Sequence, residues 1–439
     1  MRPTALPARL AALAAMLALP AHRALAQRRA DTAAVAARLL ADIRYLADDR
    51  LEGRFTGTPG ADSAAAYVAR RFAALGLRPA FAGGFAQRFD ARPAALAHVG
   101  QTAPVPVQNV AALVPGTDPA LGGQPVVVGA HYDHLGRETQ FATDPQAGRV
   151  VHNGADDNAS GVAAVLELAR RLRARPARRP VLFVAFGGEE LGTLGSQYFV
   201  AHSPVPVDSL DAMLNFDMVG RLQPNDRVLV YGTATAPELP AVVDSANAAG
   251  PRLAVRAFGD GNGPSDHASF YAANRPVLHF FTDQHPDYHA ATDDADRINA
   301  PGEARVVALA EGVLRRVADR PARLTFTRVP GAPSMLAGGP PSGGPQPWFG
   351  SVPDMAADDA GGLRLQGVLP GSPAEQAGIR AGDVVVEFDG KPVTDLQSYA
   401  AALYVHAPGD TVTVVVQRVG ANGTPERVRA QVTLRRRGE

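Results

Sequence analysis

Two adjacent glutamates, Glu189 and Glu190, follow a short apolar segment in the middle of the chain. That segment, Val181–Phe186, reads VLFVAF, which predicts a buried strand, and the pair Gly187-Gly188 ends it. Neighbouring carboxylates repel each other, and folding alone does not require such a pair at the end of an apolar strand. The pair is therefore either a solvated loop or a general base beside a metal ligand, because metal-dependent hydrolysis needs both groups close together.

Most other predicted strands in this half of the chain also end in acidic or imidazole side chains. The groups are His131-Tyr132-Asp133-His134, Asp156 and Asp157, Asp217, and Asp287-Tyr288-His289 with Asp293 and Asp294. Singly, each has an ordinary interpretation as a core histidine, a helix N-cap or a turn residue. Together with the glutamate pair, these groups make five such coincidences at one edge of a sheet, which favour a shared site. Histidine and carboxylate ligands suit two hydrolytic zinc ions bridged by one carboxylate.

The elements that would position these side chains alternate between strand and helix. The predicted strands are Pro125–Ala130, Val181–Phe186, Ala212–Phe216, Arg227–Tyr231 and Pro276–Phe281. The predicted helices are 31–50, Ala61–Leu77, Ser160–Arg173, Pro237–Ala249 and Pro301–Val317. This alternation predicts an α/β fold with a mostly parallel central sheet and helices on both faces. In such sheets, ligands bind at the C-terminal ends of the strands.

Composition narrows the possible functions. The 439 residues, 46% of them hydrophobic and 20% charged, are typical of a globular protein with more than one domain. Lys+Arg and Asp+Glu both number 43, so no net charge attracts the chain to nucleic acid or to an anionic membrane. Because the chain has no cysteine, thiolate zinc sites, disulfides and cysteine nucleophiles are excluded.

The first 26 residues have the pattern of a secretory signal peptide. Arg2 and Arg9 are basic, Leu10–Leu19 is a short apolar run, and Ala24-Leu25-Ala26 is a cleavage site before Gln27. No later apolar run reaches the roughly 18 residues that a membrane-spanning helix needs. We therefore expect an exported protein, periplasmic or extracellular, without a membrane span.

Five motifs resemble those of the secreted two-zinc aminopeptidase family, which also includes glutamate carboxypeptidases and relatives of glutaminyl cyclase. They are AHYDH (130–134), GADDNASG (154–161), FGGEELG (186–192), NFDMVG (215–220) and DYHAATDD (287–294). The resemblance runs from about Leu40 to Leu314, and it implies a zinc peptidase domain over residues 27–328. Its substrates would be peptides and its cofactors two zinc ions.

The resemblance also implies roles for individual residues. Asp157 is expected to bridge the two zinc ions and to form a cis peptide bond with Asn158. His131 and Asp217 are expected to complete one zinc site, and Glu190 and His289 the other.

The remaining polar residues receive supporting roles from the same resemblance. Glu189 is expected to be the general base, and Asp133 is expected to hydrogen-bond His131 and fix its tautomer. Asp266 and His267, in Ser265-Asp266-His267, are expected near the substrate. The scheme has no ligand role for Asp156, His134, His152 or His285.

A second unit follows a Pro/Gly/Ser-rich linker at residues 329–347. Residues 365–395 resemble a PDZ domain of the type attached to bacterial envelope proteases, and the predicted domain covers residues 348–439. Trp348, Phe349 and Gly350 are expected to form the loop that binds the C-terminal carboxylate of a protein or peptide. The alternative is a structural β-domain that binds no ligand.

Three functions remain open at this point. The first is an exported zinc aminopeptidase that hydrolyses N-terminal residues of peptides. The second is a carboxypeptidase or another amidohydrolase on the same metal site. The third is a peptide-binding protein without catalytic activity that acts through the PDZ domain.

Overall fold

The structure, a computed structural model, describes most of the chain. The described residues are 31–91, 103–137, 142–143, 150–329, 347–353, 361–369, 371–394, 396–419 and 424–436. The expected signal peptide and residues 330–346 of the expected linker lie outside them. None of the helices described is both long and apolar enough to cross a membrane.

Two helices and a 3₁₀ turn precede the first sheet. Helix α1 covers residues 31–46, the 3₁₀ turn covers Asp49–Arg54, and α2 covers Pro59–Ala74. The side chain of Thr58 accepts the amide of Ala61 and so caps the start of α2. The following proline suits the first helical position, where no amide hydrogen is needed.

Within the described residues, nine strands form the first sheet, in the order β1-β3-β5-β4-β6-β9-β7-β8, with β2 paired to β3. The strands are β1 Arg78–Pro79, β2 Ala86–Ala91, β3 Val105–Val114, β4 Val126–His131, β5 Val181–Phe186, β6 Ala212–Phe216, β7 Arg227–Tyr231, β8 Ala254–Ala257 and β9 Val277–Phe281. The helices that accompany them are α3 Gly161–Ala174, α4 Leu194–Ala201, α5 Leu239–Ala249, α6 His267–Ala272 and α7 Ala300–Ala318. Short helical turns cover Pro119–Leu121, Ala155–Ser160, Val207–Ser209 and Ala295–Arg297.

The four central strands, β5, β4, β6 and β9, run parallel to one another. Their C-terminal ends therefore meet at one edge of the sheet. Every residue of these strands is buried, which explains why they are continuous apolar runs rather than alternating patterns. Strand β3 pairs antiparallel with β5, and β7 pairs antiparallel with β9.

Alternate residues of β4 enter two apolar clusters, one on each face of the sheet. Val126 and Val128 belong to the larger cluster, which includes side chains of α1, α2, α3, α5 and α7. Val127 belongs to the other, where Phe199 of α4 and Phe270 of α6 pack on the sheet. The predicted α/β fold, with a mostly parallel central sheet and helices on both faces, is confirmed.

The C-terminal unit has its own sheet and its own apolar core. Its elements are β10 Pro347–Trp348, β11 Ser351–Pro353, β12 Leu363–Val368, α8 Pro373–Gln376, β13 Val384–Phe388, β14 Lys391–Pro392, α9 Leu396–Leu403, β15 Thr411–Val419, β16 Pro425–Thr433 and β17 Arg435–Arg436. The sheet order is β11-β12-β13-β15-β16, with β14 on β13, and β10 pairs separately with β17. Phe349, Phe388 and Val414 lie in the core. The predicted small, mainly-β domain is confirmed, whereas the boundaries at residues 328 and 347 stay predictions.

Candidate metal centre

The five residues expected to bind metal lie together at the C-terminal edge of the central strands. His131 is the last residue of β4, Glu190 follows β5, and Asp217 follows β6. His289 lies in the loop after β9, and Asp157 lies in the helical turn before α3. The parallel sheet therefore brings residues far apart in sequence to one edge, as the strand-end pattern predicts.

Asp157 lies at the centre of this group. Its Oδ1 is 3.4 Å from His131 Nε2, and its Oδ2 is 3.1 Å from His289 Nε2. The Asp157–Asn158 peptide bond is cis, as expected. The Asn158 side chain donates to the carbonyl of Phe216 at 2.9 Å and accepts the amide of Gly161 at 2.9 Å, which fixes this turn beside β6.

On one side of Asp157, His131 and Asp217 face each other. His131 Nε2 is 3.3 Å from Asp217 Oδ1. The other carboxylate oxygen of Asp217 accepts a hydrogen bond from the Ser265 hydroxyl at 2.7 Å, and Ser265 in turn accepts from Asn215 at 2.8 Å. Asp217 is thereby fixed with one oxygen towards His131.

On the other side of Asp157, Glu190 lies between two imidazoles. Its Oε2 is 3.3 Å from His289 Nε2, and its Oε1 is 2.8 Å from His134 Nδ1. His134 Nδ1 is also 3.9 Å from Asp157 Oδ2. The sequence motifs gave His134 no ligand role, yet the structure places it against two of the expected ligands.

Glu189 and Glu190 have opposite electrostatic environments although they are adjacent. Burial raises the pKa of Glu189 well above its usual value, and the negative charges of Glu190 and Asp217 add to this effect. Burial also favours the protonated form of Glu190, but His289 and His134 lower its pKa to about 2. Glu189 Oε2 lies 3.9 Å from His131 Nε2. Glu190 is therefore suited to remain an anion, and Glu189 to accept a proton.

Asp133 differs in one respect from the expected arrangement. His131 Nδ1 is 3.2 Å from the backbone carbonyl oxygen of Asp133 but 3.8 Å from its carboxylate. The carboxylate accepts instead from the Thr56 hydroxyl at 2.7 Å, from the Glu189 amide at 3.1 Å and from the Glu190 amide at 3.4 Å. Asp133 therefore orients His131 through its backbone and the two glutamates through its side chain.

Arg54 is fully buried behind the site and holds several chain segments together. Its guanidinium donates to four backbone carbonyl oxygens: Tyr132 at 2.7 Å, Leu46 at 2.5 Å, Asn153 at 2.6 Å and Gly154 at 3.0 Å. Burial lowers its pKa to about 10, so it stays charged at neutral pH. Arg54 and Thr56 are two supporting residues whose roles the sequence motifs did not indicate.

The donor set fits divalent cations. Three groups of ligand atoms lie within 4.8 Å of one another: His131, Asp157 and Asp217; His131, Glu189 and Glu190; and His134, Asp157 and Glu190. Burial lowers the pKa of His131 and His289, but the surrounding carboxylates outweigh it, raising the His289 value to about 10 and the His131 value well above normal. The buried carboxylates thus attract positive charge, which a metal ion provides. Imidazole and carboxylate ligands without thiolate are those of hydrolytic zinc sites.

The other motif histidines and acids lie around this centre. His285 Nε2 is 3.0 Å from Asp156 Oδ2. The carboxylate of Asp293 accepts the amides of Asp156 and Asp157 at 3.0 to 3.1 Å, so it connects the turn that carries Asp157 to the loop that carries His289. His152 Nδ1 is 3.3 Å from the Gly136 carbonyl oxygen.

Asp266 and His267, the residues expected near the substrate, are both buried. His267 stacks on His279 with ring centroids 4.4 Å apart, and burial lowers the His267 pKa to about 4. Burial raises the pKa of Asp266 to about 7, and the charges of His131 and Asp217 also act on it, the first lowering and the second raising its pKa. The neighbouring Ser265 contacts Asp217, so this segment adjoins the candidate centre.

In the C-terminal unit, the three residues of the expected carboxylate-binding loop have different environments. Phe349 is buried against Phe388 and Tyr399, with ring centroids 5.5 and 6.1 Å apart. The backbone of Trp348 pairs with that of Arg435. Gly350 has a φ of 82°, and a Cβ there would lie 2.1 Å from the Cβ of Ser372, so glycine is required.

Comparisons with known proteins agree with both units. Residues 109–313 match the model of Peptidase family M28, and residues 364–418 match that of the PDZ domain. Aminopeptidase YwaD of Bacillus subtilis is 31% identical over 154 residues, which cover 33% of this chain and 34% of that protein. The chain thus spans about a third of the length of this curated relative.

Solved structures share the fold of the first domain. BSAP, a zinc aminopeptidase from Bacillus subtilis, superposes with a TM-score of 0.53 at 18% identity, covering 66% of this chain and 96% of that one. Bacteroides thetaiotaomicron glutaminyl cyclase bound to N-acetylhistamine gives a TM-score of 0.52 at 19% identity, with coverages of 64% and 97%. By its motifs, its fold and these matches, the chain is similar to peptidase family M28 over residues 109–313 and to the PDZ domain over residues 364–418.

Proposed function

We propose that this protein is an exported aminopeptidase that requires two zinc ions and hydrolyses N-terminal residues of peptides. The observation that carries the proposal is the position of Asp157. Its two oxygens face two different histidines, His131 and His289, and each histidine has a further carboxylate beside it, Asp217 or Glu190. One carboxylate shared between two ligand sets is the arrangement that a pair of metal ions needs.

Metal binding and proton transfer are assigned to different residues of the chain. His131, Asp157 and Asp217 would hold one zinc ion, and Asp157, Glu190 and His289 the other. Two zinc ions held there would supply an acidified water molecule and would polarise the peptide carbonyl. Glu189 accepts the proton of the attacking water and returns it to the leaving amine. Because burial raises its pKa, Glu189 is a stronger base than an exposed glutamate.

Asp133 supports this division by fixing the glutamate pair. Its carboxylate accepts hydrogen bonds from the amides of both Glu189 and Glu190, so the loop after β5 cannot shift without breaking two partly buried hydrogen bonds. The same residue holds His131 through its backbone carbonyl. A ligand set fixed by such contacts binds metal without first reorganising.

The choice of aminopeptidase over carboxypeptidase rests on the relatives. The curated protein YwaD is named an aminopeptidase, and the solved BSAP structure is titled a zinc aminopeptidase. Export rests on the signal-peptide pattern of residues 1–26.

The test uses residues 27–439 purified from a periplasmic or secreted fraction. We expect turnover of aminoacyl-p-nitroanilides and free peptides, loss of turnover on treatment with a zinc chelator, and recovery when zinc is returned. Acetylation of the peptide N-terminus is expected to abolish turnover, because an aminopeptidase needs a free amino group. Equal turnover of blocked and free peptides would instead indicate an endopeptidase or a carboxypeptidase.

We also propose that the PDZ domain binds peptide C-termini. Strand β11 is the first strand in the sheet order, so one of its edges has no neighbouring strand among the described residues of this sheet. In the loop before it, the carbonyl oxygens of Phe349 and Gly350 accept hydrogen bonds from the backbone amides of Ala374 and Leu369, so both oxygens are directed towards other segments of the domain. Peptides ending in a free carboxylate are expected to bind, and C-terminally amidated copies are not. Equal binding of both forms would contradict the proposal.

A further inference from the structure

His134 lies against two of the expected metal ligands, Glu190 and Asp157, although the family motifs give it no task. Its side chain is completely buried. Its Nδ1 is 2.8 Å from Glu190 Oε1, whereas its Nε2 has no hydrogen-bond partner within the described part of the chain. Burying an imidazole costs free energy unless it makes a contact that compensates, so this hydrogen bond requires an explanation.

The distance identifies which atom carries the proton. The carboxylate of Glu190 can only accept hydrogen bonds, and 2.8 Å is an ordinary donor–acceptor separation. Nδ1 must therefore be the N–H of His134. An N–H has no lone pair for a metal ion, so this contact excludes Nδ1 of His134 as a ligand.

Each oxygen of Glu190 consequently has its own imidazole. Oε1 accepts from His134, and Oε2 lies 3.3 Å from Nε2 of His289. The two rings approach edge to face, with centroids 5.7 Å apart. The Glu190 carboxylate is held between them and cannot rotate freely.

The turn that carries Asp157 is shaped around the His134 ring. A Cβ on Gly154 would lie 2.4 Å from Cγ of that ring, and Gly154 has a φ of 56°. Only glycine tolerates both the left-handed backbone and this close approach. The absence of a side chain at Gly154 therefore makes room for the His134 ring, and Gly154 precedes the turn that carries Asp157.

We propose that His134 is a positioning residue. By donating to Oε1, it leaves Oε2 as the single oxygen that Glu190 presents, together with His289, to one of the two zinc ions. This inference rests on the proposed function, because it assigns a task within the two-zinc site. It predicts that replacing His134 changes the binding affinity for one zinc ion and not for the other.

The test measures zinc stoichiometry and stepwise affinity by competition with a chromophoric chelator, without any assay of turnover. His134→Leu removes the donor at similar size. It is expected to lower the affinity for one zinc ion by about 10- to 100-fold, the usual effect of losing a hydrogen bond to a metal ligand. The affinity for the other zinc ion is expected to stay unchanged. His134→Asn places an amide N–H near the position of Nδ1 and is expected to restore most of the affinity.

The matched control is His152→Leu, which removes another fully buried imidazole, one that hydrogen-bonds the carbonyl oxygen of Gly136. It is expected to keep both zinc affinities. If His134→Leu does not fold, His134→Gln replaces it, because its longer amide misses the Nδ1 position.

Two outcomes overturn the inference: both zinc affinities of the donor-free variant equal to those of the wild type, or equal losses in that variant and in His134→Asn. Failure of the proposed function itself is recognised separately, because the wild-type protein would then bind fewer than two zinc ions.

Discussion

At the residue scale, the candidate centre depends on single hydrogen bonds that fix carboxylates. Asp217 is held by Ser265, Glu190 by His134, and the backbone of the two glutamates by Asp133. Asp133 is held in turn by Thr56, whose hydroxyl lies 2.7 Å from its Oδ2. The chemistry is therefore assigned to a few side chains, but their orientation is set by neighbours that are not themselves expected metal ligands.

Thr56→Val tests one of these supporting contacts. Valine keeps the shape but leaves a buried carboxylate oxygen without this donor, so the free energy of unfolding is expected to fall by about 1–3 kcal/mol. Urea denaturation measures the change, and Thr325→Val at an exposed site serves as the control, expected within about 0.5 kcal/mol of wild type. A Thr56→Val protein as stable as wild type would show that the Thr56 hydrogen bond contributes nothing.

At the element scale, strand positions were predictable and short helices were not. Val181–Phe186, Ala212–Phe216 and Arg227–Tyr231 have the bounds that their apolar runs predict. Helix α6, His267–Ala272, has only six residues, too few to show a period, and packing of Phe270 and Tyr271 into the core stabilises it. Propensity alone does not form so short a helix.

The same limit applies to α4 and β2, which the sequence did not indicate. Strand β2, Ala86–Ala91, reads AQRFDA and exists because it pairs along its length with β3. Helix α1 ends at residue 46 rather than 50, because a 3₁₀ turn capped by Asp48 begins at residue 49. Tertiary pairing and capping decide these boundaries, and neither is visible in periodicity.

Arg54 connects elements that carry the centre, and its replacement tests that role. Arg54→Lys cannot reach all four carbonyl oxygens, so buried acceptors lose their donors. We expect the free energy of unfolding to fall by about 2–5 kcal/mol, because each buried acceptor left without its donor costs about 1–3 kcal/mol. Arg50→Lys, in the same 3₁₀ turn but exposed, is the control and is expected to change stability by less than about 0.5 kcal/mol. Equal stability of the two variants would contradict the role given to Arg54.

Glu167 of α3 gives a prediction about pH. Burial raises its pKa, but hydrogen bonds from Arg170, Arg38 and Arg171 outweigh this and hold it at about 2, below the usual 4.5. Since the pKa is lower in the folded protein, the contribution to stability is complete above about pH 4.5 and is lost as the pH falls towards 2. Glu167→Gln is therefore expected to lower stability at pH 7 and to flatten its decline between pH 4.5 and 2. Parallel declines for wild type and variant, followed by circular dichroism, would refute this.

At the scale of the whole molecule, the described residues form a nine-stranded sheet, a six-stranded sheet and a separate two-stranded pair, and each unit has its own apolar core. The sequence predicted both units, because strand–helix alternation and the PDZ-like motif are long signals. It predicted which residues lie at the candidate centre, because strand ends share one edge. It could not predict that His134 contacts Glu190 or that Asp133 uses its backbone towards His131, since ångström-scale side-chain placement decides both.

Metal removal should affect the two units differently. Ligands that bind only the folded state stabilise it by about 4 kcal/mol at a thousand times the dissociation constant. Chelation is therefore expected to lower the unfolding temperature of the peptidase domain and to leave the PDZ domain unchanged. The single tryptophan of the chain, Trp348, lies in the C-terminal unit, so its fluorescence reports that unit while circular dichroism reports the whole protein. A chelator-induced shift of the unfolding transition followed by tryptophan fluorescence, with no shift of the transition followed by circular dichroism, would contradict this account.

The most direct test of the two-zinc site measures zinc content and turnover together in wild type, in Glu189→Gln and in Glu52→Gln, an exposed control. All three proteins are expected to bind two zinc ions per chain. Glu189→Gln is expected to lose turnover by at least about a hundredfold, because it lacks the proton acceptor, and the control is expected to keep it. One zinc ion per wild-type chain, or near-normal turnover in Glu189→Gln with its zinc retained, would contradict the account.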